Sequence, residues 1–318
     1  MKRTKGFTIV ELLTVMGVIA VLIGLLVPAL GLVKDYSKRI QQKAQMHSID
    51  VGIEMFKNEF GNYPESKDNS FAAVNPIDST VYCGANKLAE AMIGWDFLGY
   101  HPRSGFTANG YNDVNGDGTA EFVYDTTNGI QTGVPGSPYN EVNGAENIAN
   151  RKRFIDLENA NGFQMQDVYA PAVVTGAGWT KSTNVVLCDV YAKKRLSSKK
   201  TGMPILYYRA RTGFQFQDYT NGIDDDIYNY NDNINLLALN SPDDNAIQHP
   251  LYDGSNDYAD FESIILNQQV LQATVTAANP TGVKRPYRAD SFFLLSAGKD
   301  GLYGTADDVV NFEKEVTE

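Results

Sequence analysis

The sequence predicts an α+β protein in which a long N-terminal helix packs on a globular head with an antiparallel β-sheet and long decorated loops. The first observation is an apolar run without a charged residue at 12–33. The second is a helical spacing of apolar residues that continues to Phe60 and ends at Gly61. The third is the remainder of the chain, in which β-branched and aromatic stretches alternate with segments rich in Gly, Asn and Asp.

The first element is an apolar helix that is long enough to cross a membrane. At about 1.5 Å per residue, the 22 residues of 12–33 span a bilayer core of about 30 Å. Lys2, Arg3 and Lys5 precede the run, and such cationic residues mark the cytoplasmic side of a span. The sequence therefore predicts four segments: a basic leader at 1–6, a transmembrane and assembly helix at 7–33, an amphipathic continuation at 34–62 and an extracytoplasmic head at 63–318.

One carboxylate lies inside this apolar segment. Glu11 costs about 2.5–3.5 kcal/mol on insertion scales unless a partner neutralises it. The simplest partner is an amino terminus at the same depth, which exists only if the chain is cut between Gly6 and Phe7. The alternative is an unpaired glutamate in the membrane.

Residues 5–13, KGFTIVELL, resemble the class III signal of type IV pilins and type II secretion pseudopilins. The resemblance implies that a membrane-bound prepilin peptidase cuts after Gly6 and methylates Phe7. It also implies that Glu11 neutralises the terminal amine of a neighbouring subunit during filament assembly. Pro28 lies where many members carry a proline that interrupts the helix, and neighbouring helices can satisfy the carbonyl that such a proline frees.

Beyond residue 33 the helix is predicted to become amphipathic. Tyr63 and Pro64 follow its end, as they do in many pseudopilins. The alternative is a single-pass anchor followed by an unrelated amphipathic helix. The apolar stripe that we expect to pack on the head consists of Val33, Tyr36, Ile40, Ala44, Ile49, Ile53, Phe56 and Phe60.

Within the head, the pattern predicts short helical elements, strands and two long loops. The helical elements are expected at 86–98 and 151–157. The loops are expected at 104–149 and 218–258. The strands are expected at 121–124, 168–174, 185–191, 205–211 and 291–296.

The strongest chemical pattern is the C-terminal loop, residues 295–309, where three aspartates lie on a glycine-rich turn. Calcium suits such a loop because it accepts about six to eight oxygen ligands, including backbone carbonyls. The segment resembles the calcium loop of major pseudopilins, and a solvated acidic turn is the alternative. The resemblance implies as oxygen donors Asp300, Asp307, Asp308, Ser296 and the carbonyl of Leu295 or Leu302.

A second acidic segment has the spacing of an EF-hand-type calcium loop. Asp113, Asn115 and Asp117 occupy its oxygen positions one, three and five, and Glu121 occupies position nine. Position twelve is Tyr124 instead of a bidentate glutamate. A looser calcium turn and a plain turn therefore both stand as interpretations.

Other charged segments carry weaker predictions. For the run Asp224, Asp225 and Asp226, a solvated loop is the favoured interpretation. Basic clusters at 151–153 and 193–200 are interpreted as solvated loops or contacts to an acidic neighbouring subunit, with DNA or anionic headgroups as the alternative for the second cluster.

Composition excludes several classes of protein. The formal net charge of −11 repels phosphate backbones, so a general nucleic-acid binder is not expected. The two cysteines, Cys83 and Cys188, allow at most one disulfide, and their spacing does not show whether they meet. The sequence contains three histidines and no G-x-S-x-G, H-E-x-x-H or P-loop pattern, so we expect no enzymatic activity.

These observations and the resemblance together predict a structural subunit of a type II secretion pseudopilus or of a type IV pilus-like filament. Its expected partners are a prepilin peptidase, copies of itself and other pseudopilins, the inner membrane and the assembly platform of the secretion or pilus machine. We expect a single-pass inner-membrane protein with a periplasmic or extracellular head and structural calcium. An adhesin or binding module on a pilin stem is the alternative, and a membrane-tethered hydrolase is a third hypothesis.

Overall fold

The computed structural model describes residues 8–68, 81–141, 143–176, 179, 182–217, 226–276, 279 and 281–313. The chain forms two compact units, Met1–Lys43 and Ala44–Glu318. The first helix begins in one unit and ends in the other.

The helices are one long N-terminal helix and eight shorter ones in the described residues of the head. Their bounds are α1 Ile9–Phe60, α2 Gly84–Ile93, α3 Gly144–Ala149, α4 Leu157–Ala160, α5 Met165–Val168, α6 Pro171–Gly176, α7 Ile234–Leu237, α8 Asp257–Ile265 and α9 Gln268–Ala273. Two 3₁₀ turns, Tyr230–Asn233 and Pro250–Tyr252, precede α7 and α8.

All described strands pair in antiparallel fashion, in three two-stranded sheets and one three-stranded sheet. The pairs are β1–β2, β3–β4 and β5–β6, and the larger sheet has the order β7-β8-β9. This arrangement confirms the predicted α+β class. The strand bounds are β1 Tyr111–Asn112, β2 Glu121–Phe122, β3 Gly162–Gln164, β4 Val185–Leu187, β5 Lys193–Lys194, β6 Lys200–Thr201, β7 Leu206–Arg209, β8 Phe292–Ser296 and β9 Val309–Val310.

Helix α1 ends where the sequence predicts. Gly61 follows Phe60 with a φ of 81°, and its N–H donates to the carbonyl of Lys57 at 2.7 Å. Glycine adopts this left-handed conformation without the penalty that a Cβ atom imposes, which is why it commonly follows the last helical residue.

The last four turns of α1 belong to the core of the head. Ile49, Ile53 and Phe56 are buried there, as the apolar stripe predicts. The stripe is wrong at its start, because the exposed positions include Tyr36, at 68%, and Ile40, at 52%. Helical spacing identifies an apolar face, but it does not show how far along that face a packing partner extends.

Polar contacts fix the register of this part of α1. Asp50 Oδ1 accepts hydrogen bonds from Arg288 Nη1 at 2.7 Å and from Asn311 Nδ2 at 2.8 Å. Gln45 Nε2 donates to the carbonyl of Cys188 at 2.8 Å. These partners lie more than a hundred residues away along the chain, so they join the helix to distant parts of the head.

The three-stranded sheet separates two hydrophobic clusters. Because side chains alternate across a strand, Tyr207 and Leu294 pack with α1 and α2 in one cluster. Tyr208 and Phe293 point to the other cluster, where their rings stack at a centroid distance of 4.7 Å. Strands β7 and β8 are therefore buried on both faces.

Several predicted elements differ from the structure. Residues 168–174 lie mainly in α5 and α6 instead of a strand, because Pro171 begins a helix whose Val173 and Val174 pack in the larger hydrophobic cluster. Predicted helix 86–98 ends at Ile93, where Gly94 has a φ of 82°. The predicted loop 104–149 contains β1, β2 and α3. The predicted loop 218–258 contains both 3₁₀ turns and α7.

We predict that Phe293→Ala lowers the free energy of unfolding by about 3–5 kcal/mol, because it empties a fully buried ring site. Equilibrium urea denaturation of the full-length protein in detergent measures the change. The matched control is Phe214→Ala, whose ring is 36% exposed, and we expect it to cost less than about 1 kcal/mol. Equal losses in the two variants would contradict the assigned core.

Candidate functional site

The first half of α1 exposes its apolar side chains. The large hydrophobic residues from Ile9 to Val33 are 48–79% exposed. The most apolar 18-residue window of α1 has a mean hydropathy of 2.7 and no buried residues, so by length and composition the helix can cross a membrane. A continuous apolar surface of this size needs lipid or other apolar helices around it.

Thr8 and Glu11 form a capping box at the start of α1. The N–H and the hydroxyl of Thr8 donate to Glu11 Oε2 at 2.9 Å and 2.8 Å, and the Glu11 N–H donates to Thr8 Oγ1 at 3.3 Å. The box satisfies amides that a helix N-terminus otherwise leaves without partners. Our sequence analysis missed this local role of Glu11, although Thr-x-x-Glu is the signature of the motif.

The capping box uses only one oxygen of the Glu11 carboxylate. Within the described residues, the other oxygen, Oε1, makes no hydrogen bond. The carboxylate can therefore keep its contacts to Thr8 and accept a further donor from another molecule.

The remaining predicted N-terminal residues have different outcomes. Gly6 and Phe7 lie outside the described residues. Pro28 lies inside α1, which runs without a break from Ile9 to Phe60, so the proline does not interrupt the helix.

In the C-terminal loop, Asp300 and Asp307 lie side by side. Burial raises the pKa of Asp300 and the neighbouring Asp307 carboxylate raises it further, against the opposing hydrogen bonds from Leu302 N–H and the Thr305 hydroxyl. Burial alone would also raise the pKa of Asp307. Hydrogen bonds from the Thr305 hydroxyl and from the N–H groups of Asp300 and Lys299 instead hold the pKa of Asp307 below its ordinary value.

The other predicted oxygen donors of this loop have separate contacts. Asp308 Oδ2 accepts from Gly304 N–H at 2.8 Å. The Leu302 carbonyl accepts from the Thr305 hydroxyl at 3.2 Å, and Leu295 lies in β8, where it pairs with residues of β7 and β9. The Ser296 hydroxyl donates to Asp189 Oδ2 at 3.0 Å.

The calcium ligand set that the resemblance implies for the C-terminal loop stays a prediction. In the described part of the chain, no three His, Cys, Asp or Glu side chains form a metal site by themselves. The carboxylates of Asp307 and Asp308 organise the turn by accepting backbone N–H groups.

Asp189 is a buried acid that sequence analysis did not single out. Its Oδ1 accepts from the N–H groups of Tyr191 at 3.0 Å and Met203 at 3.1 Å, and its Oδ2 accepts from Ser296. Burial raises the pKa of Asp189 to about 6 in spite of these bonds. Sequence gives no signal for it, because its partners come from β8 and from the segment before β7.

In the 113–121 loop, defined as residues 113–121, Asp113 organises the turn. Its Oδ1 accepts from Gly116 N–H at 2.7 Å, and its Oδ2 accepts from Gly118 N–H at 2.9 Å. The Asn115 amide donates to Asp117 Oδ2 at 2.9 Å. The predicted oxygen positions one, three and five are thus brought together at the tip of the β1–β2 hairpin.

The other charged segments are more internal than predicted. Asp226 is buried and accepts from the Tyr258 hydroxyl at 2.5 Å, so the solvated-loop interpretation is wrong for it. Asp224 and Asp225 lie outside the described residues.

Both basic clusters form ion pairs within the head. Arg151 Nη1 lies 2.5 Å from Asp96 Oδ2, and Arg195 Nη1 lies 2.9 Å from Asp243 Oδ1. These pairs neutralise cations that the sequence analysis interpreted as solvated or intermolecular.

The two cysteines are not bridged. Cys83 and Cys188 are both buried free thiols, and the Cys83 thiol donates to Asn86 Oδ1 at 3.1 Å. Burial raises the pKa of Cys83 to about 12, so this thiol is neutral. The disulfide that the sequence allowed is absent from the structure.

The comparison with protein families gives one match, at the N-terminus. Residues 1–27 match the family described as the prokaryotic N-terminal methylation motif, which is the prepilin-type cleavage and methylation segment. No curated protein and no solved structure matches the chain. The match supports the precursor of a type IV pilin-like or pseudopilin protein, and the apolar N-terminal helix fits anchoring in the inner membrane.

We predict that Asp189→Asn removes part of the pH dependence of stability. The folded-state pKa of about 6 exceeds the ordinary value of 3.8, so the folded state binds the proton more tightly. The wild type should therefore lose stability, on the order of 2–3 kcal/mol, as the pH rises from about 4 to 6. Denaturation at both pH values measures the loss, which should shrink in Asp189→Asn and persist in Asp244→Asn, an exposed control.

Proposed function

We propose that the protein is a structural subunit of a type II secretion pseudopilus or of a type IV pilus-like filament. In this proposal a prepilin peptidase cuts the chain after Gly6 and methylates Phe7, and the mature chain polymerises through α1. The observation that carries the proposal is the prepilin-type motif at 1–27 at the start of a helix whose apolar side chains are exposed.

Packing of apolar helices alone does not drive such an assembly. Lipid tails are as apolar as leucine side chains, so a helix that moves from lipid to a bundle of similar helices gains little from the hydrophobic effect. A charge pair in an apolar environment favours one arrangement strongly, because its separation leaves a buried charge without a partner. We therefore infer that Glu11 sets the register between neighbouring α1 helices in the filament.

The capping box supports this role for Glu11. Thr8 holds the carboxylate at the first turn of α1, while Oε1 is open to a second donor. The methylated amine of a neighbouring Phe7 is a donor of the required charge. The carboxylate is thus oriented before the neighbouring subunit arrives.

In this proposal the head is a structural body and not an enzyme. Its partners are a prepilin peptidase, copies of itself, other pseudopilins, the inner membrane and an assembly platform. Structural calcium at the C-terminal loop stays a prediction, and the proposal assigns no step to it. An adhesin on a pilin stem is the alternative, and it would bind its target without the Glu11 pair.

We predict that the mature protein begins with a methylated Phe7 when it is produced together with a prepilin peptidase. Intact mass spectrometry and sequencing of the N-terminal peptide measure this outcome. Gly6→Val is the matched variant, and we expect it to keep Met1 and the leader because a branched side chain replaces the small residue at the cut. An assembled wild-type protein that retains Met1 would overturn the processing step.

We predict that Glu11→Gln abolishes incorporation into filaments although the helix still forms. The amide retains an oxygen that accepts from Thr8, so the cap survives, whereas the charge that a neighbouring amine needs is lost. The amount of protein in sheared and sedimented filaments measures incorporation.

Thr8→Ala is the control for the capping box. It removes the hydroxyl and costs about 1 kcal/mol of helix stability but keeps the Glu11 charge. The Thr8 N–H still donates to Glu11 Oε2 in this variant and keeps the carboxylate oriented, so we expect its incorporation to stay near the wild-type level. If Glu11→Gln assembles as well as the wild type, the intermolecular charge pair is wrong.

A further inference from the structure

The 113–121 loop closes a short hairpin in the head. Strands β1 and β2 pair Asn112 with Glu121, so the loop begins and ends at the same place. Gly116 and Gly118 have φ values of 76° and 86°, which allow the chain to fold back sharply between the acidic residues. The side chains of Asp113, Asn115 and Asp117 therefore face a short turn instead of extending along a strand.

Glu121 provides an observation that is independent of the turn geometry. The residue is only 6% exposed, and its Oε2 accepts from the Val114 N–H inside the loop at 3.2 Å. Its other oxygen, Oε1, is buried and has no hydrogen-bond partner in the described part of the chain. An unsatisfied buried carboxylate oxygen is costly, and a bound cation is one of the few groups that removes this cost.

The described basic residues do not pair with the negative charges of this loop. Asp113, Asp117 and Glu121 form no ion pair with a described Lys, Arg or His residue. Tyr124 occupies position twelve of the EF-hand spacing, but its hydroxyl already donates a hydrogen bond to Glu90 Oε1 at 2.7 Å. Glu121 is therefore the acid that remains to complete a ligand set.

We propose that the 113–121 loop binds one calcium ion through side-chain oxygens of Asp113, Asn115, Asp117 and Glu121. The donors are carboxylate and amide oxygens, which hard divalent cations prefer, and the set includes no nitrogen or sulfur for a transition metal. Calcium is favoured over magnesium because it tolerates flexible geometry and accepts backbone carbonyls as further ligands. This site is separate from the C-terminal loop, and the inference does not depend on filament formation.

A tryptophan near the loop provides a direct probe. Trp95 packs on the small cluster that also contacts Val114, and its ring lies 5.8 Å from that of Phe122, the neighbour of Glu121. The other tryptophan, Trp179, belongs to a different hydrophobic cluster. Terbium, which replaces calcium in oxygen sites, should therefore luminesce when Trp95 is excited.

The test is a titration of the full-length protein in detergent with terbium, followed by competition with calcium. We expect tryptophan-sensitised luminescence that calcium removes at a stoichiometry of one ion, and that is lost in Trp95→Phe. Glu121→Gln should weaken calcium binding by about tenfold or more, because affinity in such loops follows the number of carboxylate ligands. Asp113→Asn combined with Asp117→Asn should abolish the signal.

Two controls keep this test specific. Asp125→Asn changes a half-buried turn aspartate just beyond the loop, whose Oδ1 accepts from Thr127 N–H at 2.7 Å, and it should bind like the wild type. Asp300→Asn combined with Asp307→Asn should also retain the Trp95-sensitised signal, because it alters only the C-terminal loop. Near-ultraviolet circular dichroism of each variant verifies that the head is folded. The proposal is overturned if the folded wild type gives no calcium-sensitive signal, or if folded Glu121→Gln binds calcium like Asp125→Asn.

Discussion

The exposed apolar surface of the first half of α1 is the constraint on which the rest of this protein depends. Side chains such as Ile9 and Leu32, 79% and 74% exposed, cannot remain in water in a continuous array. Lipid can cover them first and the helices of other subunits later. Since neither environment solvates a charge, Glu11 is the position at which a partner matters most, and the capping box with Thr8 holds that carboxylate at the first turn.

The head is organised by a different principle, because both faces of its main sheet are buried. Tyr207 and Leu294 on one face and Tyr208 and Phe293 on the other pack into hydrophobic clusters on both sides of these strands. Polar groups inside the head are consequently held by specific partners. Asp189 illustrates this, since it accepts two backbone N–H groups and a hydroxyl although burial disfavours its charge.

The two acidic loops resemble each other in sequence and differ in structure. In the C-terminal loop, both oxygens of Asp307 accept hydrogen bonds from N–H or hydroxyl groups of the turn, and Asp308 Oδ2 accepts from the Gly304 N–H. In the 113–121 loop, Asp113 also accepts backbone N–H groups, and Glu121 Oε1 is buried without a hydrogen-bond partner among the described residues. Acidic composition alone does not reveal which oxygens each turn engages.

The sequence by itself determined the long helix, its end at Gly61, the α+β class and the prepilin-type start, because periodicity, a left-handed glycine and a contiguous motif are local properties of the chain. It also identified the strands around Tyr207 and Phe293, where β-branched and aromatic residues cluster. Only the tertiary structure decided that residues 168–174 are mainly helical, that Cys83 and Cys188 do not pair and that the Ser296 hydroxyl donates to Asp189. These outcomes depend on contacts between residues far apart in the chain, and no local pattern encodes which distant groups will meet.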